Sequence, residues 1–196
     1  MNFDAVSEIE NEGQIVDYGY VKGNNKIVYI KAGMGGSYLG YENKYLRIAR
    51  KLNEKHGCSV ICVSNPTHLP ISVDRIILGE FIKDNDINDP EMFFFGNSNG
   101  CVKGLEFGAS GIAFTKMVLV NMPLMLNFHK TAQWINAMPE TDIVTVYGET
   151  DPSYRYIPFL KNKKFGNVEI VEVVGADHNF KGMTEQFIEL SEKLIK

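Results

Sequence analysis

The sequence predicts an α/β fold in which a mainly parallel twisted sheet is flanked by helices on both faces. Segments rich in β-branched and aromatic residues alternate along the chain with amphipathic segments of helical period. Two strand segments, Ser59–Val63 and Met92–Phe95, are largely apolar, which is typical of strands covered on both sides. At 196 residues the chain is long enough for a substantial core, and we expect residues 1–196 to form one domain.

The predicted elements follow one another in the order that a parallel sheet requires. The first two strands, Gly13–Tyr20 and Lys26–Ile30, are joined by a turn at residues 22–25. The remaining elements, in chain order, are a helix at Tyr41–Lys55, a strand at Ser59–Val63, a helix at Val73–Lys83, a strand at Met92–Phe95, a helix after Ser98, a strand at Lys116–Val120, a helix at Phe128–Ala137, strands at Ile143–Tyr147 and Val168–Val174, and a helix at Thr184–Ile195.

The most informative motif is Gly96-Asn97-Ser98-Asn99-Gly100, which directly follows the apolar strand Met92–Phe95. A serine with a glycine two positions to either side is typical of a sharp strand-to-helix turn that projects the hydroxyl above a sheet. Neighbouring backbone lies so close at the two flanking positions that only small side chains fit. The motif therefore predicts that Ser98 is a nucleophile.

Two later strands end at residues that could serve this nucleophile. Asp151 follows the strand Ile143–Tyr147, and His178 follows the strand Val168–Val174. The carboxyl ends of parallel strands meet at one edge of a sheet, so we expect these side chains to lie near Ser98.

Serine, acid and histidine in this order, each after a separate strand, resemble the α/β-hydrolase superfamily from about Lys26 to the last helix. The resemblance implies a catalytic triad of Ser98, His178 and Asp151 that forms an acyl-enzyme. In this mechanism His178 accepts the serine proton, and Asp151 orients the imidazole. It requires no metal and no organic cofactor.

Other acids and histidines of the sequence are alternatives for these two roles. Glu149 remains an alternative acid, whereas Asp177 is disfavoured because adjacent residues rarely turn their side chains toward each other. Asp142 is excluded because it lies at the amino end of its strand, away from the edge where such sites form. The other histidines are predicted before a strand, in a loop and in a helix: His56, His68 and His129.

The loop after the strand Lys26–Ile30 reads Ala32-Gly33-Met34-Gly35-Gly36-Ser37. It resembles the His-Gly-x-Gly-Gly-Ser loop of the superfamily, which implies that the backbone N–H groups of Met34 and Asn99 form the oxyanion hole. Ala32 stands where many members carry histidine, so any hydrogen bond from that histidine is absent here.

The substrate is the least determined feature of the sequence. Only one predicted helix separates the strands that end near Val120 and begin near Ile143, so we expect a minimal cap and an open site. Met122, Met125 and Trp134 could line an acyl pocket or belong to the core. The leading hypothesis is a serine hydrolase of the carboxylesterase or thioesterase type. An acyltransferase and a catalytically silent binding protein are the alternatives.

Composition and charge indicate which classes of binding partner are disfavoured. The net charge of −4 gives no general attraction to nucleic acid or anionic membranes. No apolar run approaches the roughly 20 residues that span a bilayer, and residues 1–8 are too polar for a secretory signal. We therefore expect a cytoplasmic protein that acts on a small-molecule acyl substrate, without nucleic acid or a membrane span.

The three cysteines are interpreted as small buried apolar residues. Cys58 and Cys62 are four positions apart on one predicted strand, so their Cα atoms would be roughly 13 Å apart. A disulfide requires less than about 7 Å, and a shared metal ion also requires closer ligands. Cys101 follows the serine turn, where helix and sheet meet, and no metal site is predicted.

Overall fold

The computed structural model describes residues 1–67, 69–126 and 128–195, and these ranges contain one sheet of eight strands. The strand order is β1-β2-β4-β3-β5-β6-β7-β8, with antiparallel pairing of β1 with β2 and of β2 with β4, and parallel pairing elsewhere. The strands are β1 (Ala5–Asn11), β2 (Gln14–Val21), β3 (Lys26–Lys31), β4 (Ser59–Val63), β5 (Glu91–Asn97), β6 (Phe114–Val120), β7 (Asp142–Gly148) and β8 (Val168–Val173). The predicted α/β fold with a mainly parallel sheet is confirmed.

Helices cover both faces of the sheet. They are α1 (Lys44–His56), α2 (Ile71–Asp84), α3 (Asn99–Ala109), α4 (Phe128–Asn136), α5 (Ile157–Asn162) and α6 (Thr184–Glu189), with 3-10 turns at Tyr41–Asn43, Tyr154–Tyr156 and Leu190–Leu194. The helices α1 and α6 pack on one face with Val28 and Ile30 of β3. The helices α2 to α5 pack on the other face with Ile27 and Tyr29 of the same strand.

The amino-terminal part of the sheet differs from the sequence prediction. Residues Ala5–Asn11 form β1, which the sequence analysis missed because its side chains are mostly polar and exposed. The strand pairs with β2 through a tight turn in which Glu12 and Gly13 have φ values of 50° and 77°. These positive values suit the short connection of a hairpin.

The turn at residues 22–25 joins β2 and β3 but does not pair them, because β4 lies between them. Its backbone bonds to the start of β4 instead: the Asn24 N–H donates to the Gly57 carbonyl at 2.7 Å, and the Gly23 N–H to the Ser59 hydroxyl at 2.9 Å. The later differences are smaller. The six-residue helix α5 was not predicted, and α6 ends at Glu189 before a 3-10 turn.

A buried ion pair lies at the carboxyl end of β3. Lys31 Nζ is 2.7 Å from Asp74 Oδ1 of α2, and both side chains are almost fully buried. The Tyr29 hydroxyl donates to the same oxygen at 2.6 Å. Within the described residues Asp74 Oδ2 has no hydrogen-bond partner. Burial lowers the pKa of Lys31, and burial together with the adjacent Asp74 carboxylate raises that of Tyr29.

We predict that Asp74→Ala destabilises the fold by about 3–5 kcal/mol, because it leaves the Lys31 charge buried without a partner. The double variant Lys31→Met/Asp74→Leu should cost much less, since it removes both charges and keeps apolar volume. Urea unfolding of both variants tests this. An Asp74→Ala protein as stable as the wild type would contradict the prediction.

Candidate active site

The site begins with a sharp turn between β5 and α3. Ser98 has φ 53° and ψ −124°, a conformation that costs a residue with a side chain about 1–3 kcal/mol. The turn is held by the Ser98 N–H, which donates to the Val120 carbonyl of β6 at 2.8 Å. This geometry lifts the serine side chain out of the sheet at the carboxyl end of the central strands.

The two flanking glycines are required by space. A Cβ atom at Gly96 would lie 2.9 Å from the backbone of Cys101, and one at Gly100 would lie 2.3 Å from the Lys31 carbonyl oxygen. Both distances are shorter than van der Waals contact. The close approach of α3 to β3 therefore depends on Gly100, as the motif predicted.

The structure brings the three predicted side chains together. His178 Nε2 lies 2.9 Å from Ser98 Oγ, and His178 Nδ1 makes a short hydrogen bond to Asp151 Oδ2. The second oxygen of Asp151 accepts the Ser153 N–H at 2.6 Å. The Asp151 side chain is fully buried, whereas that of His178 is 39% exposed. A buried carboxylate thus contacts an imidazole that opens to solvent on its other side.

The alternative acids have other partners. Glu149 Oε2 accepts the Gly175 N–H at 2.9 Å. Asp177 Oδ1 accepts two backbone N–H groups, those of Asn179 and Lys181, each at 2.9 Å, and these bonds lower the pKa of Asp177. Asp142 is the first residue of β7, at the opposite end of that strand from Asp151.

The alternative histidines also lie elsewhere. His56 is the last residue of α1, and its Nε2 is 3.3 Å from Glu192 Oε2. His129 is exposed on α4. The prediction for His68 falls outside the described residues. Among the described histidines, His178 is the one that contacts Ser98.

The two predicted oxyanion donors lie on either side of Ser98. Asn99 is the first residue of α3, and Met34 lies in the loop after β3, where a Cβ atom at Gly33 would be 3.3 Å from Ser98 Cβ. Within the described part of the chain, neither the Met34 nor the Asn99 N–H donates a hydrogen bond. Both N–H groups are therefore available to a ligand at Ser98. The Asn99 N–H also lies at the positive end of the α3 dipole, which favours a negative charge there.

Asn65, which follows β4, braces the loop after β3. Its side-chain amide donates to the Ala32 carbonyl at 3.0 Å and to Asn99 Oδ1 at 3.2 Å. Its backbone carbonyl accepts the Gly35 N–H at 2.8 Å. The loop after β3 is thus fixed by an asparagine that follows β4, the neighbouring strand in the sheet.

Asn121, which follows β6, joins the loops that carry the acid and the histidine. Its side-chain amide donates to the Asp177 and His178 carbonyls at 3.1 and 3.0 Å, and its side-chain carbonyl accepts the Gly148 N–H at 2.9 Å. The residue is fully buried. Neither Asn65 nor Asn121 is predicted from the sequence, because the only signal for either is an asparagine within two residues after a buried strand.

A cleft of about 310 Å³ opens beside Ser98. Its lining comes from the loop after β3, the start of α1, the serine turn and the histidine loop: Gly33, Met34, Gly36, Ser37, Gly40, Tyr41, Lys44, Tyr45, Asn97, Ser98, His178 and Asn179. Of the described side chains in it, Asn97 has a buried oxygen, Oδ1, without a hydrogen-bond partner. The cleft is polar around the serine and aromatic below Lys44.

The predicted acyl-pocket residues do not line this cleft. Met122 is fully buried in the core on the α2 to α5 face, and Trp134 packs against that same core. Met125 is 41% exposed in the loop before α4, outside the cleft lining. The helix α4 itself packs on α3, so the segment between β6 and β7 covers the core and not the serine.

The three cysteines are free thiols in the interior of the protein. Cys58, Cys62 and Cys101 are buried, and burial raises the pKa of each. Within residues 1–67, 69–126 and 128–195, no helix is long and apolar enough to cross a membrane. The same ranges contain no group of three histidine, cysteine, aspartate or glutamate residues arranged to hold a metal ion.

Comparisons with known proteins identify the fold. No protein-family model matches the sequence, and a search of the curated proteins also finds no match. Among solved structures, Est1E from Butyrivibrio proteoclasticus superimposes with a TM-score of 0.76 at 11% identity, over 97% of each chain. An α/β serine hydrolase homologue from Coxiella burnetii gives 0.75 at 14% identity, over 99% of each chain.

A third structure, dienelactone hydrolase from Anabaena variabilis, superimposes with a TM-score of 0.71 at 14% identity, over 97% of this chain and 95% of the other. All three comparisons extend over nearly the whole of both chains. The chain therefore has the α/β-hydrolase fold with a minimal cap, as the resemblance implied.

We predict that Gly100→Ala destabilises the fold by about 1–3 kcal/mol and displaces α3 from β3, because the new methyl group overlaps the Lys31 carbonyl. Gly79→Ala is the matched control: Gly79 is exposed within α2, and no atom lies within 4 Å of its added Cβ. That change should stabilise the helix by about 0.5–1 kcal/mol. Thermal and urea unfolding compare the two, and equal effects would refute the packing argument.

Proposed function

We propose that this chain is a serine hydrolase that cleaves a carboxylic ester or thioester through an acyl-enzyme. The observation that carries the proposal is the continuous series of contacts from Ser98 Oγ through the His178 imidazole to the buried Asp151 carboxylate. A hydroxyl group becomes a strong nucleophile when an adjacent base accepts its proton and a third group orients that base. This series of contacts supplies both, and the turn exposes the serine to a substrate.

The first half of the reaction follows from these contacts. Asp151 accepts the Nδ1–H of His178, which leaves Nε2 free to accept the Ser98 proton. The serine oxygen attacks the carbonyl carbon, and the carbonyl oxygen becomes an oxyanion. When the tetrahedral intermediate collapses, His178 returns the proton to the leaving alcohol or thiol, and Ser98 keeps the acyl group.

The Met34 and Asn99 N–H groups are positioned to stabilise the oxyanion. They are backbone donors held in place before substrate arrives, so they reorganise little as charge develops. Each such donor contributes about 3–4 kcal/mol to the transition state in hydrolases of this type. The Asn65 hydrogen bonds to Ala32 and Asn99 keep the two donors in register with each other.

Water completes the cycle. His178 takes a proton from a water molecule, the resulting nucleophile attacks the acyl carbon, and the carboxylic acid is released as Ser98 regains its proton. The half-exposed imidazole and the open cleft admit water directly. This accessibility favours hydrolysis over acyl transfer, which needs a site that excludes water from the acyl-enzyme.

The size of the cleft favours a small substrate. Its volume of about 310 Å³ lies at the lower end of the range for small-molecule sites. Among the structural neighbours, Est1E has been solved with ferulic acid bound, so a neighbour of this fold accommodates a small carboxylic acid. We infer that this chain acts on an ester or thioester of similar or smaller size.

We predict that a fluorophosphonate probe labels the native protein and that Ser98→Ala and His178→Ala abolish the labelling. The probe reacts only with a serine whose proton has an acceptor, so both partners are required. Asp151→Asn should slow the labelling by about 10³-fold or more, since the imidazole then loses its orienting carboxylate. Gel fluorescence and intact-protein mass measure the extent of labelling.

Asp142→Asn serves as the matched control for the acid, because Asp142 begins the same strand that Asp151 follows and lies at its opposite end. This variant should label at the native rate. Labelling that survives in Ser98→Ala, or native protein that folds but does not label, would refute the proposed function.

A further inference from the structure

Lys44 is an unusual residue of the cleft. It is the first residue of α1, it lines the cleft together with Ser98, and only 5% of its surface is exposed. Its Nζ lies 3.9 Å from the centroid of the Phe187 ring and 5.4 Å from that of Tyr45. The ammonium group therefore lies over two aromatic rings, and the residue that carries it lines the cleft.

The Lys44 charge has no counter-ion in the described part of the chain, where no carboxylate oxygen lies within 4.0 Å of its Nζ. Asp177 attracts the Lys44 charge from a greater distance, but its carboxylate accepts the backbone N–H groups of Asn179 and Lys181. Glu42, two positions before Lys44, accepts the Thr184 hydroxyl at 2.6 Å. The start of a helix adds an unfavourable term, since its dipole repels a cation there.

The contrast with the other buried lysine is informative. Lys31 has a carboxylate at 2.7 Å, as buried charges normally do. Lys44 has the faces of two rings and the more distant charge of Asp177. The rings stabilise a desolvated cation by about 2 kcal/mol, less than desolvation costs. A negatively charged group bound in the cleft would supply the missing partner.

We propose that Lys44 binds a carboxylate of the substrate, so that the enzyme prefers esters or thioesters that carry a second, free carboxyl group. This inference rests on the proposed function and names its substrate class. Ser98 and Lys44 line the same cleft of about 310 Å³, so one small substrate can reach both residues. A half-ester of a short dicarboxylic acid carries an ester and a carboxylate within a molecule of this size.

A carboxylate fits the site better than a phosphate. Lys44 is the only lysine or arginine that lines the cleft, so the described lining offers one full positive charge. A phosphate monoester carries nearly two negative charges at neutral pH and is normally bound by several donors or by arginine. One ammonium group matches one carboxylate in charge.

The test compares monomethyl glutarate with methyl valerate, which has a methyl group where the half-ester has a carboxylate. Methanol release followed by proton NMR gives kcat/KM for each. We expect the native enzyme to prefer the half-ester at least 10-fold. Lys44→Met should lower kcat/KM for the half-ester by about 10- to 100-fold, the range of a charge-assisted hydrogen bond, and leave methyl valerate within about 3-fold.

Two further variants separate charge from packing. Lys44→Arg keeps the charge and should retain part of the preference, whereas Lys44→Met keeps the apolar stem that covers Phe187. Lys51→Met is the matched control, because Lys51 lies on the same helix outside the cleft and pairs with Glu189. It should leave both substrates unchanged. Thermal unfolding of Lys44→Met confirms that the variant is folded.

The preference should also depend on pH. Burial lowers the pKa of Lys44 to about 8, and the charge of Asp177 opposes this shift. The other titratable groups near it are Tyr41, Tyr45 and His178, which line the same cleft, and Glu42, two positions earlier in the chain. As pH rises through about 8, Lys44 loses its charge, so kcat/KM for monomethyl glutarate should fall relative to that for methyl valerate. In Lys44→Arg the ratio should stay constant over the same range.

A binding measurement keeps this inference separate from the proposed hydrolysis. Calorimetric titration of the Ser98→Ala protein with monomethyl glutarate measures affinity without turnover. We expect binding that weakens at least 10-fold in Ser98→Ala/Lys44→Met. Equal affinity in both proteins, or equal turnover of the two esters by the native enzyme, would overturn the carboxylate assignment. If the native protein hydrolyses neither ester but still binds monomethyl glutarate in a way that depends on Lys44, the proposed hydrolase function would be overturned and the carboxylate site retained.

Discussion

The site depends on one backbone constraint, the positive φ of Ser98 between β5 and α3. This conformation turns the chain sharply enough for α3 to begin against the carbonyl of Lys31, where only glycine fits at position 100. Consequently the Asn99 N–H and the loop that carries Met34 lie on either side of the serine. The strain of about 1–3 kcal/mol is held by strand β5, which is buried along nearly its whole length. The positions of the proposed nucleophile and of the proposed oxyanion donors thus follow from a single turn.

Local pattern was sufficient to predict the fold and the three residues that meet at the site. The glycine spacing around Ser98 reports a steric limit, and the order of serine, acid and histidine reports strand ends that share one edge of the sheet. Strand pairing is less local. The polar strand β1 has no apolar signal, and the turn at residues 22–25 does not reveal that β4 inserts between β2 and β3. Contacts between distant segments decide both features.

Polar residues that act through long-range contacts were beyond the reach of sequence patterns. Asn65 and Asn121 connect loops that only the folded sheet brings together. A single asparagine after a strand does not predict such hydrogen bonds. The surroundings of the two buried lysines could not be predicted from the sequence either. Asp74, the partner of Lys31, lies 43 positions away in the chain. Lys44 lines the cleft. Met122 belongs to the core and not to the cleft, a distinction that hydrophobicity cannot make because core and pocket side chains are equally apolar. The charged residue of the cleft is therefore a better guide to its specificity.

The proposed function requires that Ser98 carries the acyl group between two chemical steps. Rapid mixing of the native protein with 4-nitrophenyl acetate, followed by acid quenching and peptide mass analysis, observes that intermediate directly. The proposed function predicts an initial burst of about one equivalent of nitrophenol and a matching acetyl group on Ser98. Nitrophenol release with no acetylated peptide in the quenched sample, or an acetyl group on another residue, would contradict it.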